Sequence, residues 1–284
     1  MRQGSLIVAL LLASSAHAWD TNAHKVIGVI AYRHLTPQAK AWCDRILAAN
    51  PPGYQDFLNA APYPDYLKHG APKDKPPVKR THKFDGWHFI DYPVQINQSI
   101  AFPYDTSVER NGNNALYGIE ESVRQVTSGT PENRAFYLSM ILHVVGDIHQ
   151  PLHCAERAGD KGGNDVALRG AIRNLHALWD DVITSKYRLK GKQKATDSRI
   201  VEVAGLVEAA YPMASMREEM AVSDPKGWAE ESYALAVDSA YDGLTPQTKP
   251  TDAYRQRWTA VAERRVALAG YRLAAFLNRL AARG

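Results

Sequence analysis

One segment constrains the fold more than any other. Between Thr130 and Pro151 the apolar residues Phe136, Leu138, Met140, Ile141, Leu142, Val144, Val145 and Ile148 cover nearly every side of a helix. Thr130-Pro131 supplies its N-cap and first residue, and Pro151 stops it near His149. A helix apolar all round must be enclosed, so the rest of the chain has to wrap it. Two of its residues conflict with that burial. His143 and Asp147 stand four apart and project from one face. A buried carboxylate is costly unless a cation or hydrogen-bond donors meet it. The expected centre of the domain therefore demands a partner for Asp147.

The same pairing recurs. His153 follows the Pro151 break, and His176 and Asp180 are again four apart within Asn174-Leu175-His176-Ala177-Leu178-Trp179-Asp180. Imidazoles with carboxylates and no thiolate cluster suit zinc best, with manganese or iron as alternatives. Two further segments carry ligand types: Asp65 in Tyr63-Pro64-Asp65, and His88 in Trp87-His88-Phe89-Ile90-Asp91. The chain holds ten histidines, more than packing needs, but only two cysteines. Two are too few for a disulfide scaffold or a Cys-based zinc module. The net charge of +4 excludes a histone-like polycation.

Residues 1–18 read as a secretory signal peptide: Arg2, the apolar run Leu6 to Leu12, and the small-x-small site Ala16-His17-Ala18. Cleavage would leave residues 19–284 as one exported, soluble domain beginning at Trp19, secreted or periplasmic, monomeric and without a membrane anchor. The freed Trp19 amine has a reference pKa near 8 and can chelate a metal together with its carbonyl. His24 lies one helical turn further on. Export permits a Cys43–Cys154 disulfide; two buried thiols fit equally. Asn97-Gln98-Ser99 is a glycosylation sequon that only a eukaryotic secretory host would use.

Elsewhere the period is helical: 23–34, a helix capped by Thr36-Pro37 and reaching Ala49, then 114–127, 170–187, 199–209, 225–241 and 252–282. Residues 61–83, rich in Pro and Lys, read as a long irregular loop. The expected fold is a single mainly α domain. Arg255, Arg257, Arg264, Arg265, Arg272 and Arg279 read as a solvated face of the last helix.

Taken in order, Trp19 and His24, Asp65, Trp87 to Asp91, the run His143-Val144-Val145-Gly146-Asp147-Ile148-His149-Gln150-Pro151-Leu152-His153, Gly162-Gly163-Asn164, and Asn174 to Asp180 resemble the S-one/P-one (type I) family of secreted zinc nucleases. The resemblance implies a helical fold with three zinc ions at the bottom of a cleft. One ion would take Asp65, His88, His143 and Asp147. A second would take His153, His176 and Asp180. The third would take the Trp19 amine and carbonyl, His24 and a bridging Asp147. It also implies cleavage of single-stranded DNA and RNA to 5′-phosphate products, and 3′-nucleotidase activity. Phe89 would stack on a base and Asp91 would bond its edge. Lys68 stands where the family commonly has a catalytic arginine, keeping the charge but losing the bidentate fork. Asp20 and Ala23 occupy positions where the family usually has glycine.

Paired metal ions clamp both sides of a phosphodiester displacement, with Asp65 placed to orient the attacking water. A zinc-dependent phospholipase C is the first alternative, and Phe89 with Asp91 argues against it. A non-catalytic zinc- or nucleic-acid-binding protein is the second. Lys68, Lys73, Lys75, Lys79, Arg80 and Lys83 form a basic stretch between two ligand segments: either a solvated loop or a phosphate-attracting rim.

Overall fold

The computed structural model of the chain describes residues 19–95, 105–190 and 196–283. The proposed signal peptide and the sequon lie outside the described residues. The fold is mainly helical. In chain order the α-helices are α1 (Thr21–Arg33), α2 (Pro37–Leu47), α3 (Phe57–Ala60), α4 (Tyr63–His69), α5 (Ala115–Ser128), α6 (Pro131–Asp147), α7 (Leu175–Asp180), α8 (Val182–Lys186), α9 (Asp197–Ala210), α10 (Arg217–Ala221), α11 (Pro225–Leu235) and α12 (Asp252–Ala281). Among the described residues there is no strand, only isolated bridges pairing Pro93 with Glu156 and Ala167 with Asn174.

The apolar helix is the axis. Thr130 caps α6, and every residue from Leu138 to Asp147 is buried. Helices α1, α2, α4, α5 and α12 pack around it. The helix ends at Asp147 rather than His149. Gln150 N–H bonds the Asp147 carbonyl at 2.8 Å in a tight turn, and Pro151 cannot continue the ladder. Where α1 crosses α12, a Cβ on Gly270 would stand 2.5 Å from Ile30, so only glycine permits that approach. No described helix is long and apolar enough to cross a membrane.

Three expectations need correction. Residues 61–83 are not all irregular, because α4 lies within them and carries Asp65 in its first turn. Its seven residues are too few to show a period. Tyr63, Tyr66 and Leu67 cluster with Tyr54, so tertiary packing holds the helix. The helix expected over 170–187 starts only at Leu175, because the Asn174 side chain caps Ala177 N–H at 2.8 Å. It is also broken at Asp181, the cap between α7 and α8. Of the two alternatives open for the cysteines, the structure holds the second: Cys43 and Cys154 are buried free thiols, and burial raises both above the usual thiol range.

The arginines of α12 are not one solvated face. Arg265 and Arg272 are 3% and 1% exposed. Both bond Glu231 of α11, at 2.8 Å from Arg265 and 2.6 and 2.7 Å from Arg272. Arg265 also donates to the carbonyls of His149 and Trp228 and to Ser232 Oγ. Ser232 Oγ in turn bonds the Ile148 carbonyl. This network clamps the turn that follows α6. Replacing Glu231 by Ala leaves two buried guanidinium groups without their carboxylate. The expected loss is about 3 kcal/mol in denaturant unfolding; a change below about 0.5 kcal/mol would show that the pairing is not structural.

Candidate metal centre

Four donor atoms converge where α4, the 3-10 turn Asp85–His88 and the end of α6 meet. Asp65 Oδ1 lies 3.8 Å from His88 Nδ1 and 3.5 Å from His143 Nε2. Those two nitrogens are 3.0 Å apart. Asp147 Oδ2 lies 3.1 Å from His88 Nδ1 and 3.2 Å from His143 Nε2. Ligands bound at about 2.0–2.1 Å around a tetrahedral ion stand about 3.3 Å from one another. The observed edges match such a cage.

Asp147 has a second oxygen, and it faces elsewhere. Its Oδ1 lies 3.2 Å from His24 Nε2, and neither atom has a hydrogen bond. Both residues are fully buried. The His24 ring stacks on His143, with centroids 3.9 Å apart. His24, His143 and Asp147 thus form a second group close enough to hold a metal, and the two oxygens of Asp147 link it to the first cage. A buried carboxylate oxygen and imidazole nitrogen facing each other without a bond are a donor pair that fits a cation. The third group is His153, His176 and Asp180. The two Nε2 atoms are 3.2 Å apart, and His176 Nε2 is 3.6 Å from Asp180 Oδ2.

Backbone carbonyls set the tautomers. His143 Nδ1 donates to Ala61 O at 2.8 Å, His153 Nδ1 to His88 O at 2.6 Å, and His176 Nδ1 to Gly162 O at 2.8 Å. A carbonyl only accepts, so each Nδ1 carries a proton and Nε2 is the nitrogen that faces the site. Gln150, fully buried after α6, plays the same part for a carboxylate. Its Nε2 donates to Asp180 Oδ1 at 2.7 Å, leaving Oδ2 toward His176. Its Oε1 accepts Leu152 N–H at 2.6 Å, which fixes the amide. Sequence reasoning gave Gln150 no role. Its signal was an amide in an apolar run between a histidine and a proline.

The electrostatics are those of a cation site. Burial opposes charge on His143, but Asp147 and Asp65 prevail and raise it to about 10. Burial, then His143, lowers His24 to about 4. Burial, then His153, lowers His176 to about 3. Burial pushes Asp180 well above the carboxylate range. Against its burial, Asp147 is held well below that range by His143, His24 and His88.

The remaining predicted residues surround these groups. Trp19 is buried, and its indole donates to the Gly146 carbonyl at 2.9 Å, one residue from Asp147. Asp20 N–H bonds the Asp180 carbonyl at 3.2 Å, so the start of α1 lies beside the third group. Asp20 also caps α1 through Ala23 N–H at 2.9 Å. Lys68 is half-buried one turn after Asp65, near enough that its charge helps push His176 down. Phe89 and Asp91 are half-buried on extended backbone past His88. Burial, then Glu156 and Asp160, raises the Asp91 carboxyl to about 7.

Gly162 is required where it stands. Its φ is +61°, and a Cβ there would lie 2.3 Å from the Leu152 carbonyl. Changing Gly162 to Ala is expected to cost roughly 1–3 kcal/mol. It should also weaken divalent-ion binding at His153, His176 and Asp180, because it moves the carbonyl that orients His176. Calorimetric zinc titration would read this as the loss of one binding step; an unchanged isotherm would reject the coupling.

Comparison with known proteins places this arrangement. The family model described as S1/P1 Nuclease matches residues 19–282. The chain is 25% identical to Nuclease S1 of Aspergillus oryzae, over 96% of its own length and 95% of that protein. It is 26% identical to Endonuclease 4 of Arabidopsis thaliana, over 97% and 93%. It is 23% identical to Nuclease P1 of Penicillium citrinum, over 92% and 97%.

Proposed function

Because the chain belongs to the S1/P1 nuclease family, we propose that it is an exported, zinc-dependent endonuclease. In this reading it cleaves single-stranded DNA and RNA to 5′-phosphate products and removes 3′-phosphates from nucleotides. The observation that carries the reading is the continuous cage of Asp65, His88, His143, Asp147 and His24, joined through the two oxygens of one buried carboxylate. Residues 1–18 would be removed, leaving 19–284 as the nuclease domain.

The donor set fits zinc: imidazole nitrogens and carboxylate oxygens at tetrahedral spacing. Asp65, His88, His143 and Asp147 would hold one ion, and His153, His176 and Asp180 a second. His24, Asp147 and the amine and carbonyl of a mature Trp19 would hold a third. Zinc in such a site supplies Lewis acidity and lowers the pKa of water. The chain's own residues do the rest. Asp65 is kept ionised by His143 and His88 against its burial, so it can accept a proton from the attacking water. Lys68, one turn further along α4, offers its ammonium to a phosphate oxygen. Phe89 gives a base an aromatic face, and Asp91 offers a carboxyl to the base edge. Stacking needs an unpaired base, which favours single strands over duplex.

Asp65→Asn is expected to lower kcat at least a thousandfold while the thermal transition stays near the parent's. Substantial remaining activity on single-stranded DNA would sink the assignment. Chelation should abolish turnover and added zinc should restore it, with phosphatidylcholine assayed in parallel as the discriminating alternative substrate. A second test concerns the N-terminus. A form that keeps residues before Trp19 should bind one zinc fewer than the form beginning at Trp19, by emission spectroscopy, and lose most activity. Equal zinc content would remove the terminal amine from the ligand set.

A further inference from the structure

The basic stretch before the His88 segment has no part in the metal cage, yet its placement is specific. Thr81 N–H bonds the Leu67 carbonyl at 2.8 Å, tying the stretch to the helix that carries Asp65 and Lys68. The Arg80 guanidinium lies over Gly70 at the end of that helix, 3.2 Å from where a Cβ would stand. Lys79, Arg80 and Lys83 are exposed, and among the described residues none of them forms an ion pair. Of the acids flanking the stretch in sequence, Asp74 and Asp85, the second is taken by His82 at 2.9 Å. Three uncompensated cations in five residues raise the local potential, and a polyanion would relieve it.

Aromatic rings continue from this stretch. Phe84 packs edge-on against Trp87 with centroids 5.0 Å apart. Trp87 in turn carries Tyr117 at 5.7 Å and Tyr137 at 6.3 Å. Trp87 is buried, whereas Phe84 and Tyr137 are half-buried and Tyr117 is 37% exposed. The tryptophan is therefore a floor under a row of partly open rings. Lys83 Nζ lies 5.3 Å from the Phe84 centroid, so cation and ring sit at one spot. At the far end, Ala115 N–H bonds the Phe89 carbonyl at 2.9 Å, which sets the first turn of α5, with Tyr117, beside the Phe89 segment.

We propose that Lys79, Arg80 and Lys83, with the rings of Phe84, Tyr137 and Tyr117, form a track for a single-stranded nucleic acid several nucleotides long, continuous with the metal centre. This rests on the nuclease reading above. Cations beside open aromatic rings suit a strand that presents phosphates and unstacked bases together. A duplex offers the phosphates but hides the base faces. A mononucleotide or dinucleotide offers too few phosphates and bases to fill such a track. The track therefore separates polymer from short substrate through KM and leaves the bond-breaking step alone.

The test uses the triple variant Lys79→Glu, Arg80→Glu, Lys83→Glu and, separately, Tyr117→Ala, both in the zinc-loaded enzyme. Steady-state kinetics are compared on a dinucleotide and on an oligothymidylate of about twenty nucleotides. Binding of the same oligomer to the Asp65→Asn form, with and without the triple change, is followed by anisotropy against salt. The triple variant should leave dinucleotide kcat/KM within about twofold and raise KM for the oligomer roughly tenfold. It should also reduce the slope of log affinity against log salt by about 2, since single strands contribute about 0.7 per phosphate contact. Tyr117→Ala should raise the oligomer KM a few-fold and leave the salt slope unchanged. An unchanged oligomer KM and salt slope in the triple variant would overturn the track while leaving the nuclease reading intact. Absence of cleavage by the parent protein would overturn the nuclease reading, and the anisotropy series would still decide the track.

Discussion

Everything in this fold is arranged around one carboxylate. Asp147 is fully buried at the last turn of the most apolar helix, touched by the imidazoles of His24, His88 and His143 at 3.1–3.2 Å. The end of a helix is the wrong place for a negative charge, because the macrodipole already points its negative pole there. Within α6 only His143 compensates. The partners come from α1, from the turn before Phe89 and from one turn back in α6, so three separate stretches must assemble before the carboxylate is satisfied. In the protein alone, a proton on His143 carries part of that duty, which is why its imidazole is raised to about 10. A divalent cation would perform it without protonating a ligand, so metal binding and folding would be coupled through the same residue.

A second layer of charge holds the first in place. The ligand side chains end at Asp180, yet the family match runs to residue 282. The C-terminal helix explains the difference. Arg265 and Arg272, both paired with Glu231, anchor the His149 backbone and ring, and Ser232 anchors Ile148. That pins the turn between Asp147 and His153, and with it Gln150, which orients Asp180. His149, conspicuous in sequence and not a predicted ligand, is buried and neutral, its Nδ1 bonding the Val145 carbonyl at 2.7 Å. Its place is in this outer layer, where its Nε2 faces Arg272.

The sequence made the inner layer legible because its chemistry is local. His143 and Asp147, like His176 and Asp180, sit on one helical face, and a buried carboxylate calls for a cation whatever the fold. The caps Thr36 and Thr130 were readable for the same reason. What escaped was tertiary. Helix α4 is too short to carry a period and relies on a tyrosine cluster contributed in part by Tyr54. Arg265 and Arg272 looked like solvent residues because their counterion lies on another helix. Which oxygen of Asp147 meets which histidine is likewise a matter of packing, since i, i+4 spacing places the residue but not its second oxygen.

The charge arithmetic of the site explains how a chain of only +4 can attract a polyanion. Asp65, Asp147 and Asp180 bring three negative charges, and the histidine ligands, kept neutral once a metal occupies them, bring none. Two divalent ions in the proposed sites would outweigh those carboxylates, and a third would widen the margin. The excess would be confined to a low-dielectric pocket, where it would act on a phosphate far more strongly than the same charge spread over the surface. In the proposed track the exposed Lys79, Arg80 and Lys83 would work at longer range and be screened by salt, whereas the buried centre would be screened little. Capture of a long strand and hold on its scissile phosphate can therefore respond differently to ionic strength, because they draw on charges at different depths.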